Sequence, residues 1–183
     1  MQLRSEIQLI SMMKSMNDVI IPAISPDNDL AIQQAHLVVA MLKLMTIQLP
    51  LQFRFDRDEL QRLLASTSEF AHLRTTDPKI DVAWGRLNAL RALNATMLEQ
   101  NIVEPTELAA AVKTMRTEMS ALMAVAATSC DQQALAAIEK TVMALSKAQL
   151  KRDRSLLASL GWEADPSALP LIEKILEDGY VDV

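Results

Sequence analysis

Proline and glycine are almost confined to a few places in this chain, and the stretches between them are long. Pro22 and Pro26 form one cluster, Pro166 and Pro170 another, and Pro50, Pro78 and Pro105 stand singly. From Thr106 to Leu160 neither residue occurs. Proline has no N–H to donate and its ring clashes with the preceding turn, so it marks where helices begin or stop. The runs between are rich in Ala, Leu, Met, Gln, Glu, Lys and Arg, which lose least on entering a helix. The pattern predicts an all-α fold. It is an up-and-down antiparallel bundle of about six long helices plus a short C-terminal helix, with residues 1–183 as a single helical-bundle domain.

Composition limits what such a bundle can be. Half of the 183 residues are apolar but only 3% are aromatic, so the core must be built from Leu, Ile, Val, Ala and Met. The formal net charge of −5 provides no positive field for nucleic acid. Cys130 is the only cysteine, which rules out an intrachain disulfide and a secreted disulfide scaffold. Glu6 and Gln8 interrupt any apolar region near Met1, and no small-residue cleavage site follows, so no signal peptide is read. The greasiest stretch, Leu37 to Leu51, carries Lys43, Thr46 and Gln48 and is too short and polar for a membrane span. The expectation is a cytoplasmic protein.

A first helix is expected from about Gln2 to Ile20, ended or kinked by Pro22. It has Leu3, Ile7 and Ile10 on one side and Leu9, Met12, Met13, Met16 and Ile20 on another. So broad an apolar arc implies burial against more than one neighbour. Ser25-Pro26-Asp27-Asn28-Asp29 has helix-start chemistry. The second helix then runs to about Leu49, polar only along Asp29, Gln33, His36 and Lys43, as a central helix would be. After Pro50, Leu51-Gln-Phe-Arg-Phe55 alternates as an extended segment would, and Asp56 with Glu59 suggests a capping box opening a third helix near Arg57. The alternative is one kinked continuous helix. Leu60, Leu63, Leu64, Phe70 and Ala71 form the third helix's apolar face; Asp58, Gln61, Arg62, Glu69 and His72 form its outer face.

Asp77-Pro78 opens a fourth helix reaching about Ile102, with Ile80, Ala83, Trp84, Leu87, Leu90, Met97 and Leu98 on one face. Glu104-Pro105 opens a fifth, whose Leu108, Val112, Met115, Met119, Leu122 and Ala126 form a heptad seam. The turn Thr128–Asp131 leads into a sixth, with Leu135, Ile138, Val142, Leu145 and Leu156 on its seam and Gly161 at its end. Asp165-Pro166-Ser167 starts a short last helix with Leu169, Leu171, Ile172, Ile175 and Leu176 as its apolar face, closed by Gly179.

Few residues suggest chemistry. Glu69 and His72 have the ExxH spacing of di-iron sites, but such sites need two such pairs and further acids, and before His36 the equivalent position is Gln33. Both pairs lie on polar stripes, so they read as solvated surface and no metal is expected. Lys147, Lys151, Arg152 and Arg154 read as cations complementing a helix C-terminus. Cys130 reads as an ordinary thiol, Trp84 and Trp162 as packing anchors, and Met115, Met119 and Met123 as core. No phosphate loop, nucleophile elbow, CxxC or HExxH is present, so neither a catalytic residue nor a cofactor is assigned.

Asn94, Gln149 and Arg152 are polar residues on apolar seams. They are the candidate ligand-binding residues, as a polar contact inside a mainly apolar pocket. Alternatively they form a hydrogen-bonded lock on helix register, or the helix phase differs and they are exposed. The leading functional expectation is a non-catalytic helical interaction protein that self-associates as a homodimer. The alternative is a binding module for an apolar, acyl-like small molecule between helices, and the second alternative an enzyme of unrecognised helical type.

Overall fold

The computed structural model describes residues 4–100, 103–161 and 163–177. Ile102, Trp162, Gly179 and the start of the first helix at Gln2 and Leu3 lie outside them. The chain is all-α: among the described residues every regular element is helical. It divides into two compact units. One holds Met1–Gln52 and Arg154–Pro170, the other Phe53–Asp153 and Leu171–Val183.

The first unit begins with α1 (Ser5–Ser15), a π-helical turn (Met16–Ile20) and the short α2 (Ile21–Ala23). The wide turn has a local cause. Pro22 cannot donate and its ring crowds the carbonyl four residues back, so the helix loosens just before it. Ile24 is extended and ends the run. Asn28 then caps α3 (Asp29–Ser68), its Oδ1 accepting from the Ala31 N–H at 3.1 Å. Residues 29–52 of α3 belong to this unit. At the other end of the unit, Gly161 takes the left-handed conformation (φ 76°) after a 3-10 turn, Ala158–Leu160. Arg154 holds Glu163 through two bonds of 3.0 and 2.8 Å and draws that carboxyl below its ordinary range.

Two sequence expectations fail in this unit. Pro50 does not end a helix, and residues 51–55 are not extended: α3 runs through them for 40 residues. Asp56 and Glu59 are therefore helix-interior residues rather than a cap. Pro50 faces solvent, where the carbonyl it leaves unpaired can be hydrated, and strong helix formers flank it on both sides. The apolar arcs of the first two expected helices are also largely uncovered. In α1 only Leu9 is buried, while Ile7, Ile10 and Met12 are exposed. In α3, Leu30, Leu37, Val38, Met41, Met45 and Leu49 are exposed along with the expected polar strip. Continuous through Pro50, α3 is long and apolar enough to cross a membrane by length and composition, with mean hydropathy reaching 1.5. The sequence expectation considered only Leu37 to Leu51, with its Lys43, Thr46 and Gln48, whereas the helix continues well beyond both ends of that stretch.

The second unit is a helical bundle of the rest of α3, α4 (Pro78–Glu99), α5 (Pro105–Ala127) and most of α6 (Gln132–Leu157), with α7 (Ile172–Glu177) beside them in sequence. Its core is the expected one. Leu60, Leu63, Phe70, Ile80, Leu87, Leu108, Met115, Leu122 and Ile138 are each at most 2% exposed. The α5 seam from Leu108 to Ala126 is buried throughout. Trp84 meets Phe70 edge to face at 5.8 Å. Near the C-terminus, Pro170 separates a 3-10 turn (Pro166–Ala168) from α7, so the expected last helix is shorter and begins later.

The helix starts of this unit clasp one another. Asp77 caps α4 by accepting from the Lys79 N–H at 2.8 Å, and Asp131 caps α6 by accepting from the Ala134 N–H at 3.0 Å. Asp131 Oδ2 also accepts from the Thr75 hydroxyl and the Thr76 N–H, while Asp77 Oδ2 accepts from the Ser129 hydroxyl. Each cap thus ties down the loop that carries the other. The bond from Ser129 holds the Asp77 carboxyl below its ordinary range, and the Ala134 N–H does the same for Asp131. A lowered native pKa means stability that is complete above the unfolded value of about 4 and is lost as pH falls through the native values. Asp77→Asn and Asp131→Asn should therefore lower stability at neutral pH and flatten its decline below about pH 4, as read by urea unfolding at each pH.

Candidate functional site

One end of α6 places a full positive charge inside the second unit. Arg152 is 1% exposed. It follows Leu145 on the α6 seam by one heptad, which is why its position was legible as an inward one. Its Nη1 donates to Asp58 Oδ2 at 2.5 Å, and its Nη2 donates to Glu59 Oε2 at 2.8 Å and to Gln149 Oε1 at 2.7 Å. The guanidinium carbon lies 4.0 Å from the centre of the Phe55 ring, close enough for cation–π attraction. Arg62 Nε donates to the same Asp58 oxygen at 2.7 Å. Arg116 of α5 pairs with Glu59 Oε1. Gln149 closes the set by donating to Asp153 Oδ1 at 2.7 Å.

This network corrects the expected outer face of the α3 C-terminal half. Asp58 and Arg62 are 4% and 7% exposed, although Gln61, Glu69 and His72 do face solvent. The sequence carried one clue: a buried Arg152 requires carboxylates, and adjacent acids at Asp58 and Glu59, one turn before Arg62, are a suitable source. Their partner lies more than ninety residues away, and helix periodicity alone cannot supply that information.

Beside the network, α3, α5 and α6 enclose a cleft of about 640 Å³. Glu59, Arg62, Arg116, Gln149 and Asp153 line it, together with Leu63, Met119, Met123, Val142, Leu145 and other small or apolar residues. The three candidate ligand-binding residues are thus separated. Gln149 lines the cleft, and Arg152 sits behind it, closed off by its partners. Asn94 is elsewhere, buried in α4 at 6% exposure, with its Nδ2 unpaired among the described residues.

The other candidates are dispersed. Glu69 and His72 form a 3-10 turn after α3 and line a smaller cleft of about 450 Å³ with Lys140. Among the described residues no three His, Cys, Asp or Glu side chains come together in a way that could hold a metal ion. Cys130 is exposed in the α5–α6 turn. The basic run divides, Lys147 and Lys151 facing solvent, Arg152 buried and Arg154 paired with Glu163. No protein-family model matches the chain, and no curated protein or solved structure matches it.

Removing one partner of a buried ion pair strands the rest. Among the described residues, Arg152→Ala would leave Asp58 paired with Arg62 and Glu59 with Arg116. The expected loss is about 3–5 kcal/mol, measured by urea or thermal unfolding. Asn94 is the converse case. A buried amide without a partner costs about 1–3 kcal/mol, so Asn94→Leu should keep the helical circular-dichroism spectrum and raise the unfolding midpoint.

Proposed function

We propose that this chain is a helical interaction protein that self-associates through α3. The observation that carries this reading is the exposed apolar stripe of its first unit. Leu30, Leu37, Val38, Met41, Met45 and Leu49 are each 43–68% exposed. At 3.6 residues per turn they fall within about one third of the helix circumference, along roughly 29 Å. An apolar strip of that length is more than scattered surface hydrophobicity. A second copy suits it. In a two-fold antiparallel register Leu30 meets Leu49 and Val38 meets Met41, so the strip covers itself and the helix dipoles oppose. Closed two-fold dimers are also the commonest oligomers.

Sedimentation at micromolar concentration tests this. The chain should run at twice its 20.3 kDa, and Met41→Glu combined with Met45→Glu should run as a monomer with its helical spectrum kept. A wild-type monomer would remove the reading, and a monomer that cosediments with lipid vesicles through the same two residues would assign the stripe to a membrane surface instead.

A second reading, a module that holds an apolar small molecule, is favoured by the cleft of the second unit. Its volume falls in the range of about 300–1,000 Å³ usual for ligand sites, and its mainly apolar lining with a few polar groups is the usual composition. Among the residues assigned beforehand, Gln149 supports it; Asn94 does not reach the cleft.

A further inference from the structure

The cleft is graded in polarity. Along α5 its lining passes from Arg116 through Met119, Ser120, Met123 and Ala124 to Ala127. Along α6, read backwards, it passes from Asp153, Leu150 and Gln149 through Ser146 to Leu145 and Val142. On both helices the charged or amide side chains are far from the connecting turn, and apart from Leu150 the apolar ones are nearer to it. Each lined stretch is about 17 Å long at 1.5 Å per residue. A lining of this kind suits a molecule with one polar end and one flexible apolar tail, and the methionines let the walls adapt to it.

The hydrogen bonds decide the sign of the polar end. Arg152 has no exposed surface to offer, and Arg62 is buried on Asp58. Glu59 is compensated by both Arg152 and Arg116. Asp153 accepts from Gln149, a neutral amide that orients the carboxylate without cancelling its charge, so a cationic head would find one carboxylate there. Arg116 differs. Its side chain lines the cleft, is 51% exposed and meets Glu59 through Nε, and neither Nη donates a hydrogen bond among the described residues. A planar fork with two open donors matches a carboxylate in bidentate geometry, and because it is already half in water little desolvation opposes binding.

We propose that the cleft binds a single-chain amphiphile with a carboxylate head, the head seated on Arg116 and the chain running past Met119, Met123 and Leu145 toward the turn. This rests on the small-molecule reading of the cleft. The test is calorimetric titration of the full chain with dodecanoate, methyl dodecanoate and dodecylamine, each below its aggregation limit. One dodecanoate should bind per chain, about tenfold or more tighter than the ester or the amine, as a charge-assisted hydrogen bond implies. Arg116→Gln should abolish that preference. Ala124→Trp, which fills the cleft from an exposed position, should abolish binding of all three. Equal affinity for the three heads, or a preference that survives Arg116→Gln, overturns the carboxylate assignment while Ala124→Trp still reports on the cleft. No binding of any probe, or binding indifferent to Ala124→Trp, overturns the cleft reading and the assignment with it.

Discussion

Arg152 carries a positive charge in a place that water does not reach, and the second unit is arranged around that fact. An isolated ion in such a site would cost several kcal/mol even after relaxation, so the surrounding helices must bring compensating groups. They come from two helices: Asp58, Glu59 and the ring of Phe55 from α3, and Gln149 from the preceding turn of α6. These contacts fix how α3 is rotated about its axis. If the helix turned by one residue, about 100°, Asp58 and Glu59 would leave the guanidinium and two carboxylates would be buried without it. Apolar packing tolerates small sliding of helices; a directional ion network tolerates much less, and here it selects one register.

The same network also sets the chemistry of the cleft. Its inner members neutralise one another, which removes the strongest charges from competition for a ligand. Arg116 stands at the rim of this arrangement. Glu59 pairs with its Nε, and the side chain is half-exposed where it lines the cleft. Burial behind and exposure in front thus belong to one construction, a fixed inner set of ion pairs with one orientable donor at its edge.

Legibility in the sequence follows the range of the interactions. The start of α4 was readable because a cap acts over two or three residues, and the α5 seam because every heptad repeats the same signal. Arg152 was readable as lying on the α6 seam for that second reason, and its burial was not settled by it. Asp58 and Arg62 were not, because charged residues on a helix are ordinarily solvated and their burial depends on an arginine far along the chain. Gln149 and Arg152 were foreseen on one seam, whereas their use, one at the cleft and the other behind it, depends on which neighbours each meets. Pro50 misled for a different reason. Its local penalty, about 3 kcal/mol in a helix interior, is real, but it competes with helix-forming residues extending far to both sides, and a solvent-facing position lessens the loss. The mutual clasp of Asp77 and Asp131 shows the same limit: the Asp77 cap and the turn ending at Asp131 were visible, the exchange of hydrogen bonds between their loops was not.

The first part of α3 raises the opposite question, what keeps a helix formed where few of its residues are buried. Most helical stability in proteins comes from packing an apolar face. Between Asp29 and Leu49 only Ala35 and Leu44 are fully buried. The exposed stripe therefore represents apolar surface whose removal from water would stabilise the helix itself, at roughly 25 cal/mol for each Å² covered. Self-association in the proposed register would supply that cover and the helix would in turn present a continuous face for it. Folding of this segment and pairing of two chains would then be coupled, each making the other favourable, whereas the ion pairs of the second unit form within one chain.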